Sequence, residues 1–193
     1  MNLIKNEIKE IVDRKQLKLI PEIIAVTKTF NLDKITPLID KGHIHFGENK
    51  VQEAEDKWDE VKKKNKKIKL HMVGKLQSNK AKKAVQIFDY IHSLDNIKLA
   101  QKISLFEKEL NKKTKLFIQV NAANEEQKSG INLKDLNSFY SYCSNELALN
   151  VIGLMCLPPI NSDAKKYFDL LKEKSINLNL QDLSMGMSSD YKQ

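Results

Sequence analysis

The chain has little cysteine, almost no arginine and no long apolar run, and each shortage removes a class of protein. Cys143 and Cys156 are the only cysteines in 193 residues, too few for a disulfide scaffold or a zinc module. Both are expected to be buried thiols. Arg14 is the only arginine, so the net charge of +8 is built from lysine. The densest basic run, KKKNKKIK at 62–69, has no aromatic residue interleaved to stack on a base. It reads as a solvated helix end or loop rather than a nucleic-acid surface. The opening MNLIKNEIKEIVDRK breaks every apolar group with a charge, unlike a secretory signal. Elsewhere the longest apolar stretches, such as 151–160, contain glycine or proline and fall short of the roughly 20 residues that a membrane helix needs. A soluble, cytoplasmic protein without a membrane or nucleic-acid partner is expected. Neither a GxGxxG turn nor a GxxxxGK loop occurs, so the usual phosphate fingerprints of open α/β sheets are missing. No serine stands in a GxSxG elbow either.

What is present is a regular alternation. Apolar runs of strand length occur at 23–26, 44–46, 70–73, 90–92, 116–120, 151–155 and 183–185, seven candidate strands. Between most of them lie apolar residues at helical spacing: Ala54, Trp58 and Val61; Leu99, Ile103, Phe106 and Leu110; Leu133, Leu136, Tyr140 and Cys143; Ala164, Tyr167, Phe168 and Leu171. Strand alternating with helix implies parallel strands joined by crossover helices, so the class is α/β. With 41% hydrophobic residues and no linker or low-complexity segment, residues 1–193 are expected to form one domain. Asp95 and the 161–163 cluster suggest helix starts, and Thr36 followed by Pro37 suggests a short helix that Gly42 ends. Periodicity alone leaves an open doubly wound sheet and a (β/α)8 barrel lacking one unit as alternatives.

The residues just past each strand carry the chemistry: Thr27, Lys28 and Thr29; Gly47, Glu48 and Asn49; Gly74; Ser93; Asn121; Met155; and 184–188. In a parallel barrel they share one rim, where side chains from many strands converge. Lys28 differs from the other lysines because it directly follows the core-like run IIAV. An amine held there is expected to be partly desolvated and able to condense with an aldehyde; the plainer alternative is a lysine snorkelling out from a strand end. His43 and His45 alternate on one strand, but no Cys, Asp or Glu cluster completes a metal site. Packing in the core or rim is the expectation for both, and for His71 and His92.

Read together, the segments IIAVTKT, HFGENKVQEAEDKW, HMVGKLQSNK, IHSLDNIKLA, QVNAANEEQKSGI, VIGLMCLPP and LSMGMSSDY resemble the pyridoxal phosphate homeostasis proteins, which are similar to the barrel domain of alanine racemase. The resemblance runs in the family's order over nearly the whole chain. It implies a (β/α)8 TIM-barrel-like fold with pyridoxal 5′-phosphate held as a Schiff base on Lys28. It also implies Asn49 and Met155 near the cofactor ring, Ser184 on the phosphate, and Lys128 as a further rim lysine able to accept or pass on the aldehyde. The implied role is intracellular vitamin B6 homeostasis without independent turnover, with pyridoxal phosphate-dependent apo-enzymes as partners.

Two departures bear on that reading. Phe30 stands where relatives often have a second lysine, which removes any transfer step through that neighbour. The family's pattern continues beyond LSMGMSSDYKQ to a last strand with an Arg-x-Gly-Thr phosphate loop, so the eighth strand is expected to be missing and two strand edges left unpaired. A racemase-like enzyme is the alternative; its second proton donor comes from a further domain that this chain is too short to hold. A monomer is expected, since no apolar surface stripe remains once the helices are assigned.

Overall fold

Seven of the short apolar runs become strands of one parallel wall in a computed structural model, which describes residues 1–125 and 129–193. The elements follow in the order α1 (Asn2–Arg14), β1 (Ala25–Val26), α2 (Leu32–Asp40), β2 (His45–Glu48), α3 (Val51–Lys64), β3 (Lys69–Met72), α4 (Ala81–Ile87), β4 (Tyr90–Leu94), α5 (Ile97–Glu109), β5 (Lys115–Asn121), β6 (Ile131–Asn132), α6 (Leu136–Ser141), β7 (Val151–Met155), α7 (Ala164–Asn177) and β8 (Asp182–Ser184). The wall runs β1-β2-β3-β4-β5-β7-β8, with the two-residue β6 paired to β5 at its C-terminal end. Every pair is parallel. β1 and β8 stand at opposite ends of the order, so among the described residues the fold is a parallel α/β barrel wall of seven strands left open between β1 and β8.

Strand alternation divides the side chains into two layers. Phe46, Leu70, Met72, Ile91, Leu116, Ile118 and Leu154 pack outward and are buried against the helices, together with Ala54 and Trp58 of α3, Leu99 and Ile103 of α5, and Leu171 of α7. Burying each such large side chain contributes roughly 1.5–3 kcal/mol. The inner layer is different. Barrel interiors are ordinarily filled by branched aliphatic residues, whereas here His71, His92, Phe117 and Gln119 occupy it, all buried. Gly153 of β7 gives Phe117 its room: a Cβ there would lie 2.9 Å from the Phe117 ring and 2.0 Å from the Asp182 carbonyl oxygen.

Several local expectations shift. α2 starts at Leu32, with extended Asn31 before it, and Pro37 lies inside the helix rather than opening it. The Thr36 hydroxyl donates back to the Leu32 carbonyl at 2.9 Å, so this residue belongs to an existing turn. α5 is capped by Asn96, not Asp95; the Asn96 side chain accepts from the Leu99 N–H. Asp163 caps α7 by accepting from the Lys165 N–H. α1, α4 and β6 have no counterpart in the periodicity reading. Cys143 and Cys156 are both buried and unpaired.

Candidate functional site

The site candidates gather where the strands end. Register sets Val26 beside Gly47, Glu48 beside Met72, Gln119 beside Met155, and Met155 beside Ser184. Lys28, Asn49, Met155 and Ser184 therefore lie at or just past the C-terminal ends of β1, β2, β7 and β8 on one rim. Met155 is buried at 4% exposure, Asn49 and Ser184 are half-buried, and Lys28 is exposed. The desolvation expected of Lys28 is thus corrected: it sits in the turn that follows a strand of only two residues, and its side chain is exposed although Thr27 before it is buried. Lys128 lies outside the described residues.

What the structure builds around Lys28 is a clamp on its neighbours. Thr27 donates its backbone N–H to the Gly47 carbonyl at 2.9 Å and its hydroxyl to Glu48 Oε1 at 2.7 Å. That same carboxylate oxygen accepts from Lys57 Nζ and from the Trp58 indole N–H, each at 2.9 Å. Lys57 also donates to the Thr27 carbonyl at 2.9 Å. On the other side, the Thr29 N–H donates to Glu53 Oε1 at 2.8 Å, and this contact, followed by Lys57, holds the Glu53 carboxyl below its usual range. Thr29 itself sits at φ 68, a left-handed conformation that is strained for a β-branched residue. Such strain persists where surrounding structure over-determines the backbone, and it concentrates at functional positions.

The clamp residues Glu48, Lys57 and Trp58 were not singled out as a group from the sequence. A signal existed, since Glu48, Lys57 and Trp58 flank and occupy the first turns of α3, but helical spacing marked Trp58 only as core. A cavity of about 300 Å³ opens at the ends of β3 and β5, lined by Val73, Gly74, Lys75, Gln119, Asn121 and Leu157 among others.

Below the rim the interior histidines form contacts that packing alone does not require. His45 Nδ1 lies 2.9 Å from His71 Nε2, His71 Nδ1 lies 2.8 Å from His92 Nε2, and His92 Nδ1 lies 2.7 Å from Ser184 Oγ. His71 stacks on Tyr90 at 4.2 Å and His92 on Phe117 at 4.3 Å between ring centroids. Burial drives His71 down to about 2 and His92 to about 3, so both are neutral at physiological pH. Burial also lowers His45.

A parallel wall with polar candidates collected at its strand C-termini is the arrangement of a (β/α)8-type barrel, and the family described as alanine racemase, N-terminal domain matches residues 2–190. Alanine racemase of Clostridium difficile, at 11% identity, superimposes with a TM-score of 0.65 over 93% of this chain and 52% of its own, a likeness of fold. The chain belongs to the family of pyridoxal phosphate homeostasis proteins. It is 35% identical to the Synechocystis member over 178 residues, which cover 88% of this chain and 81% of that protein. It is 30% identical to the Escherichia coli member over 87% of this chain and 76% of that protein. PipY of Synechococcus elongatus, solved with PLP bound, is 34% identical and superimposes with a TM-score of 0.75 over 95% of this chain and 91% of its own.

Proposed function

We propose that this chain binds pyridoxal 5′-phosphate on Lys28 and serves to hold and hand on the cofactor within the vitamin B6 pool, without turnover of its own. The relatives named for that homeostasis support the role, and the PipY structure described with PLP supports the ligand. The observation that carries the residue assignment is the clamp: α3 fixes Thr27 and strained Thr29 on both sides of one accessible amine. When bound, the cofactor would supply an electrophilic aldehyde carbon. The free amine of Lys28 would bond to that carbon, its two hydrogens leaving with the aldehyde oxygen as water. Ser184 offers a hydroxyl to the phosphate, Met155 offers an apolar surface to the ring, and Asn49 an amide at its edge.

The fit is a shallow one. An exposed lysine suits reversible loading, since water reaches the carbon–nitrogen bond and can break it again. Release to pyridoxal phosphate-dependent apo-enzymes follows as the role, with the chain acting as a cytoplasmic monomer. Among the described residues no helix is long and apolar enough to cross a membrane.

Incubation with pyridoxal phosphate should turn the protein yellow, and borohydride reduction should fix the added mass on the peptide containing Lys28. Lys28→Ala should stay colourless while keeping its circular dichroism. A label found at another lysine, or no spectral change at all, refutes the assignment. Enzyme-rate exchange of the α-proton of alanine would refute the absence of turnover.

A further inference from the structure

The barrel interior holds an unbroken line of hydrogen-bonding contacts from its N-terminal face to its mouth. It starts at His45, the first residue of β2, passes through His71 of β3 and His92 of β4, and ends on Ser184, the last residue of β8. We infer that His45, His71 and His92 act together as a positioning device that makes the Ser184 hydroxyl a hydrogen-bond donor toward an anionic group at the mouth. The inference rests on the proposed reading in which Ser184 faces the cofactor's phosphate.

A neutral imidazole has one N–H and one lone pair, so each contact in the line needs one proton and no more. If His92 donates from Nδ1 to Ser184, its Nε2 must accept from His71 Nδ1, and His71 Nε2 must then accept from His45 Nδ1. All three rings are then Nδ1–H tautomers. If Ser184 donates to His92 instead, the same reasoning makes all three Nε2–H. A doubly protonated ring in the line is opposed by burial, since His71 and His92 are only 3% and 1% exposed. Their stacking on Tyr90 and Phe117 fixes the ring planes, so the nitrogens stay aligned.

The two arrangements present opposite faces to a ligand. In the Nδ1–H arrangement, Ser184 accepts from His92 and its own O–H is free to donate outward. In the Nε2–H arrangement that O–H is consumed by His92, and Ser184 offers only lone pairs, which repel an anion. An anion at the mouth therefore selects the first arrangement, and the selection reaches His45 at the far end of the barrel. A cofactor-binding hydroxyl is in this way oriented by residues that never touch the cofactor.

The test is two-bond proton–nitrogen spectroscopy on histidine-¹⁵N protein titrated with inorganic phosphate, in the unmodified chain and in Lys28→Ala. His45, His71 and His92 should always share one tautomer, and all should be Nδ1–H with phosphate bound. His92→Gln should weaken phosphate binding about three- to tenfold, the worth of one hydrogen bond, and Ser184→Ala should do the same without altering the fold. Rings of different tautomer, Nε2–H rings at saturating phosphate, or phosphate binding unchanged in Ser184→Ala overturns the inference. A protein that never turns yellow but shows the concerted tautomer response refutes the cofactor reading and leaves this one standing. A yellow protein with independent rings does the reverse.

Discussion

Gly74 lies so close to Asn49 that a Cβ added to it would sit 2.5 Å from the Asn49 carbonyl oxygen and 2.7 Å from its Cα. Both contacts are to backbone, so no side-chain rotation relieves them. The absence of a side chain at the end of β3 is thus what lets the turn after β2 settle into place beside the rim cavity, and Asn49 owes its position to its neighbour.

Gly74→Ala should push Asn49 away from the rim. Overpacking of this kind costs about 1–3 kcal/mol, and a larger loss is expected in cofactor affinity than in global stability because the displaced turn is local. Absorbance titration with pyridoxal phosphate beside a thermal melt separates the two. An affinity equal to that of the unmodified chain would contradict the role given to Asn49.

The clamp makes a second prediction. Glu48 is fully buried, and Lys57 has only 9% of its side chain exposed. Glu48→Ala leaves the Trp58 N–H and the Thr27 hydroxyl without their shared acceptor, while Lys57 keeps Glu53 and the Thr27 carbonyl; the loss is about 1–3 kcal/mol for unsatisfied buried donors. Urea unfolding should show it. Glu48→Gln, which keeps an acceptor oxygen for Thr27 and Trp58, should recover part of the loss.

The interior histidines make stability depend on pH. Their folded values, about 2 for His71 and about 3 for His92, lie far below the ordinary 6.5, so the unfolded chain binds more protons across that interval. Stability is then complete above pH ~6.5 and falls as the pH drops toward ~3, with each ring adding up to about 1.4 kcal/mol per pH unit. Urea midpoints measured from neutral pH down to moderate acid should fall more steeply in the unmodified chain than in a folded His71→Phe, His92→Phe variant. Equal slopes would mean that the rings are accessible to protons in the folded state.

Burial raises Cys143 and Cys156 to about 12. Neither should react with an aromatic disulfide reagent at neutral pH until denaturant is added. Rapid stoichiometric labelling of the native protein would contradict that placement.

The strand runs were readable because buried parallel strands are short and almost wholly apolar, and the helices between them carry one apolar stripe each. Elements whose residues are mixed escaped. α1 buries only Val12, so its sequence looks like a solvated segment, and β6 is two residues long. Pro37 was read as a helix start because proline favours first turns; packing kept it inside α2. Of the site, Lys28 was visible from its place after an apolar run, but its exposure was not, because exposure depends on what the rest of the barrel puts beside it.

Chain order alone determined the α/β class, the seven wall strands and the rim to which Lys28, Asn49, Met155 and Ser184 belong, since these follow from period and sequence position. Only the curvature of the wall decided that His92 meets Ser184, 92 residues later, and that Glu48 of β2 binds the residue before Lys28 on the side that faces the helices. Such contacts join residues that periodicity treats as independent, and they are selected by the geometry of the folded barrel rather than by any local preference of the chain.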